Sequence, residues 1–143
     1  MKKVLFDVNV ILDVLMGREP FVNASGAAWA AVEHGKAVGL VAGHALTTIH
    51  YLVQKDRGAA KARAIITAIL KVFAVAAVDG PVLREALDLP CPDLENAVSA
   101  SAARFGGCDY VITRDLKGFR GSPVKCLTPE EFLALAGVDN NGA

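Results

Sequence analysis

KVLFDVN, residues 3–9, decides how the rest of the chain is read: three large apolar side chains stand together and are stopped by Asp7, then Asn9. A continuous apolar run of that length, without polar alternation, predicts a strand buried on both faces, as in a parallel sheet covered by helices. The strand is expected over residues 3–7, with Asp7 at its carboxyl end. In such sheets ligands bind beyond the carboxyl ends of the strands, where the strand order reverses. Asp7 is therefore the first candidate site residue.

Working outward, Val10 to Met16 predicts a short helix ended by Gly17 and Pro20, and Phe21 to Glu33 a second one ended by Gly35. A strand over 37–42, a helix from His44 or Ala45 to about Lys55, and a helix over 59–71 follow. The apolar run Val72 to Val78 starts with a third strand. Asp79-Gly80-Pro81 breaks the chain before a helix over 82–88, and Pro90 and Pro92 precede a helix from about Asp93 to Phe105. Tyr110 to Thr113 predicts a fourth strand and Val124 to Leu127 a fifth. Thr128, Pro129 and Glu131 fit the N-cap, N1 and N3 positions of a capping box opening a last helix. Strands alternating with helices give one α/β domain over residues 1–137, with a largely parallel five-stranded sheet flanked by helices and a short flexible tail at 138–143.

The chain has 143 residues, enough for one substantial core. Fifteen Lys and Arg balance fifteen Asp and Glu, so no global charge steers it onto nucleic acid. A nucleic-acid role needs a local patch; the densest basic interval holds Lys55, Arg57, Lys61 and Arg63, with Arg57 and Lys61 on one face at helical spacing. Three cysteines without a CxxC pair fit neither a disulfide framework nor a zinc site, and free thiols in a reducing, cytoplasmic setting are expected. The apolar run near Met-Lys-Lys is too quickly broken to read as a signal sequence, and no membrane-spanning segment is expected.

Asp115 follows the fourth strand as Asp7 follows the first, so the two can meet across the sheet. Asp93 and Asn96, three residues apart at a helix entrance, share a face. Gathered carboxylates repel one another unless a cation compensates, and Mg²⁺ or Mn²⁺ suits hard oxygen donors. Each acid also has a structural alternative: Asp7 and Asp115 as strand-end caps, Asp93 as a helix N-cap.

FDVNVILD (6–13), DLENAVSA (93–100) and GCDYVITRDLKGF (107–119), followed by PVKCLTPEEFL (123–133), together resemble the PIN domain family, in particular small bacterial VapC-type toxins. The resemblance runs from residue 3 through Leu135. It implies a metal-dependent ribonuclease acting on RNA, with Asp7, Asp93, Glu95 and Asp115 as metal ligands. Asp7, Asp93, Asn96 and Asp115 are then the catalytic set, with Asn9, His50 and Thr113 as auxiliaries; Arg114 is a further auxiliary by its position, since it and Lys117 stand beside Asp115 where they could neutralise a phosphate or simply be solvated. It further implies a homodimer and an antitoxin protein that inserts a segment near the acidic cleft. Two positions depart from the family pattern: His50 stands where the helix commonly carries Glu, and Asn96 where DxEDA has Asp. Each removes a negative charge, which weakens Mg²⁺ affinity, favours Mn²⁺, and leaves a non-catalytic PIN-like interaction module as the competing expectation. A two-component receiver also sets a strand-end Asp on an α/β sheet, but the paired acids of the late helix and YVITRD argue against it.

Overall fold

The computed structural model describes residues 1–141, with side chains through Gly137. Its elements are β1 (Lys3–Phe6), α1 (Val8–Met16), α2 (Val22–Glu33), β2 (Val38–Ala42), α3 (Gly43–Arg57), α4 (Ala59–Val72), β3 (Ala74–Ala76), α5 (Gly80–Asp88), α6 (Leu94–Phe105), β4 (Tyr110–Ile112), a 3₁₀ turn (Lys117–Phe119), β5 (Lys125–Leu127) and α7 (Pro129–Asn141). The strands form one sheet in the order β3-β2-β1-β4-β5, and all four pairings are parallel.

β1 is the centre of this sheet because its side chains tolerate no water on either face: Val4, Leu5 and Phe6 are wholly buried. Lys3 pairs with Val38 on one side and Val4 with Tyr110 on the other. The chain winds outward through β2 and β3, then returns across β1 to begin β4. The order therefore reverses between β1 and β4, and their carboxyl ends, Phe6 and Ile112, lie side by side. Above one face Phe6, Phe73 and Trp29 form a chain of edge-on rings, 5.1 and 5.2 Å between centroids. Gly39 lets that layer close: a Cβ there would stand 2.7 Å from the Phe73 ring and 2.8 Å from Val32.

Several element boundaries differ from the sequence expectation for local reasons. α1 starts at Val8 because the extended Asp7 backbone offers its carbonyl to the Val10 and Ile11 amides at 3.0 and 3.4 Å. α4 continues to Val72 and β3 begins only at Ala74; the apolar run 72–78 carries no periodicity that separates the two. Arg57 and Lys61 do not share a helical face, since Gly58, at φ 92°, ends α3 and α4 starts after it. The capping box forms as expected, with Thr128 N donating to Glu131 Oε1 at 2.9 Å and Glu131 N to Thr128 Oγ1 at 3.1 Å. The expected tail at 138–143 overlaps the end of α7; its side chains and its last two residues lie outside the described residues. No helix among the described residues is long and apolar enough to cross a membrane.

Candidate active site

The reversal between β1 and β4 opens a cleft of about 260 Å³ lined by Asp7, Val8, Asn9, Leu12, Arg18, Thr48, Leu52, Asp93, Glu95, Asn96 and Asp115. Four carboxylates thus converge from three places: the end of β1, the entrance of α6 and the segment after β4.

Asp7 is nearly buried, at 5 % exposure. Its Oδ2 accepts a hydrogen bond from Thr113 Oγ1 at 3.0 Å, and the same hydroxyl accepts the Asp115 backbone amide at 3.0 Å. Thr113, wholly buried, therefore ties the two strand ends together beneath the cleft. Burial pushes the Asp7 carboxyl up to about 6; the Thr113 hydroxyl and the Val8 amide oppose this, while Asp115 and Glu95 add repulsion.

Asp93 caps α6, its Oδ1 accepting the Asn96 amide at 3.2 Å. Asp115 Oδ1 accepts the Gly118 amide at 3.0 Å, and Asn96 Nδ2 donates to the Gly118 carbonyl at 3.2 Å. The 3₁₀ turn is thereby latched to both the strand end and α6. A Cβ on residue 118 would collide with Asp115 Oδ2 and stand 2.7 Å from Asn96 Nδ2, so a larger residue there has to displace the two latching side chains. Asn96 thus lines the cleft while its amide nitrogen is committed to holding the turn.

Two expected auxiliaries lie elsewhere. His50 faces a separate groove with Leu46, Thr47, Arg63, Ile66 and Thr67, and the α3 residues facing the acids are Thr48 and Leu52. Helical phase explains the difference: residues 48 and 52 stack one turn apart, whereas residue 50 points roughly 160° away from each. Arg114 turns from the cleft onto wholly buried Asp13, donating Nε to Oδ2 at 2.9 Å and Nη2 to Oδ1 at 3.2 Å, and stacks over Phe21 at 4.0 Å.

Arg18 is the cleft residue the sequence reading missed. Gly17, at φ 61°, ends α1 in a left-handed turn, and the Arg18 amide bonds back to the Asp13 carbonyl at 3.0 Å. The side chain returns over the Asn9 face of α1, with Nη1 3.4 Å from Asn9 Oδ1. The only trace in the sequence is a glycine stop between an α1 acid and a basic residue.

The donor chemistry suits a hard divalent cation, for every acidic ligand candidate offers oxygen and the repulsion felt by Asp7 is what a cation relieves. The placement is not preassembled: among the described residues, no three His, Cys, Asp or Glu side chains enclose a common point. Asp93 and Asp115 are each turned onto a backbone amide, and both, like Glu95, are exposed and free to rotate.

No curated protein sequence matches the chain significantly. Solved structures do. FitAcB from Neisseria gonorrhoeae aligns with a TM-score of 0.68 at 17% identity, covering 89% of this chain and 98% of that one. A toxin-antitoxin complex from Klebsiella pneumoniae gives 0.67 at 19%, covering 88% and 97%. VapBC2 from Rickettsia felis, bound to a promoter DNA fragment, gives 0.64 at 11%, covering 88% and 98%. At these identities the likeness is one of fold. The PIN domain family matches by sequence over residues 3–117, the span that carries β1, the α6 entrance and Asp115, and on that match the chain belongs to the PIN domain family.

Proposed function

We propose that the protein is a divalent-metal-dependent endoribonuclease that hydrolyses RNA phosphodiester bonds as the toxin of a toxin-antitoxin pair. The observation that carries the chemistry is the convergence of Asp7, Asp93, Glu95 and Asp115 on one cleft at the point where the strand order reverses. These four residues would hold Mg²⁺ or Mn²⁺, which when bound supplies Lewis-acid polarisation of the phosphate and compensation of charge. Asp7 is fixed by Thr113, so it contributes a rigid oxygen; Asp93, Glu95 and Asp115 contribute adjustable ones. Asn96 acts as a polar auxiliary that keeps the turn behind Asp115 in place. No cysteine lines the cleft, and burial raises all three thiols, that of Cys108 to about 11, so none is activated as a nucleophile. The toxin role and the antitoxin partner are supported by the structural likeness to toxin-antitoxin complexes; the homodimer is carried over from the resemblance to VapC-type toxins alone.

Cleavage of a varied RNA pool by wild type and Asp7→Asn, with Mg²⁺, with Mn²⁺ and with EDTA, tests this reading. Altering a residue behind a metal ligand costs about 10–100-fold, so losing Asp7 itself should cost more than about a hundredfold. Equal cleavage by the two proteins, or cleavage in EDTA, rejects the mechanism.

A second reading has its own support. α3 presents Thr48 to the cleft and Asn96 is neutral, so the negative field is weaker than in a fully acidic site. On that reading the protein is a PIN-like binding module without turnover. It predicts that RNA survives intact with both metals while the protein still binds RNA or its protein partner.

A further inference from the structure

Asp13 is wholly buried and its carboxylate is already engaged by Arg114 through two nitrogens and by Ser25 Oγ at 3.3 Å. A second guanidinium stands beside it: Arg18 Nη1 is 3.8 Å from Asp13 Oδ1. Two guanidiniums on one carboxylate leave one positive charge in surplus. Arg114 is not the spare, because Asp13 takes its fork and Phe21 covers its face. Arg18 is. Its contacts are long, 3.4 Å to Asn9 Oδ1 and 3.7 Å from Nη2 to Met16 Sδ, and its side chain is 34 % exposed.

The spare charge lies where substrate must enter. Arg18 is the one basic side chain lining the acidic cleft among the described residues, and the chain as a whole carries no net charge to attract a polyanion. A guanidinium anchored on one edge, with donors left over, presents a planar fork matched to phosphate oxygens. We propose that Arg18 grips a backbone phosphate of the RNA strand entering the cleft and so positions it against the carboxylates. The proposal rests on the ribonuclease reading above, and it assigns to Arg18 the phosphate contact that sequence position suggested for Arg114.

The test is equilibrium binding of a fluorescent, randomised RNA pool across a range of KCl, with Ca²⁺ replacing Mg²⁺ to retain the charge of the site. Wild type, Arg18→Gln and Arg18→Lys are compared, with melting curves to confirm that each is folded. Arg18→Gln should bind about tenfold more weakly, and the slope of log affinity against log salt should shrink by about 0.7, the loss of one phosphate contact on a single strand. Arg18→Lys should recover the slope and part of the affinity. A glutamine variant with unchanged affinity and slope overturns the proposal. So does a weakened variant whose slope is unchanged, since that is the signature of a structural role. Wild type that neither binds the pool nor cleaves it with Mn²⁺ overturns the ribonuclease reading along with the proposal, and the wild-type curve alone separates that failure from the others.

Discussion

At Asp7 a carboxylate ends a strand whose preceding side chains are wholly buried, and the protein pays for it in stability. Its carboxyl moves from 3.8 to about 6 on folding, so the folded state binds the proton more tightly than the unfolded chain. This contribution is fully present below about pH 4 and is lost as pH rises through about 6. The difference corresponds to about 3 kcal/mol. Asp7→Asn should therefore raise the stability of the metal-free protein at neutral pH by an amount of this order, and the gain should vanish near pH 4. Urea unfolding in EDTA at several pH values measures it; a gain independent of pH would refute the account. Mn²⁺ should then stabilise wild type and not the variant, because only a ligand that binds the folded state shifts the equilibrium. Asp7, Asp93 and Asp115 were legible as candidates, since an acid after an apolar strand or at a helix entrance marks itself, whereas Glu95 came only with the family resemblance. Arg18 and Thr48 were not: one depends on a left-handed turn at Gly17, the other on the exact phase of α3.

Between elements, the buried Asp13 carboxylate works as a junction, receiving Ser25 from α2, Arg114 from the segment after β4, and Arg18 from the turn closing α1. Removing one partner of a buried ion pair strands the other charge, at a cost of about 3–5 kcal/mol. Arg114→Met should destabilise the protein by the lower part of that range, because Arg18 remains near the carboxylate. Chemical unfolding measures this, and a loss below about 1 kcal/mol would show that Arg114 is not structural. The latch of Asn96 and Asp115 on Gly118 is the second junction, joining α6 to the turn after β4. Neither junction can be read from spacing, since the partners lie 22 and 101 residues apart. The elements themselves could be: hydrophobic runs, glycines and prolines mark where each begins and ends to within a few residues.

Across the whole molecule, an apolar surface remains outside the core. Leu83 and Leu87, one helical turn apart on α5, are 46 % and 71 % exposed, and Phe105 and Val75 are also half uncovered. Leu83 and Leu87 give α5 an exposed apolar face, and the proposed homodimer would account for it if its interface lies there. Light scattering over a concentration series should show twice the monomer mass at high concentration; a mass that stays monomeric throughout rejects the dimer. The α/β class, the parallel sheet and the acids at the strand ends follow from the order of residues alone, because apolar runs and their polar stops are local properties of the chain. That Arg18 enters the cleft while Arg114 and His50 leave it emerges on folding. Side-chain direction depends on helical phase, and the partner a charge finds depends on which distant element packs beside it.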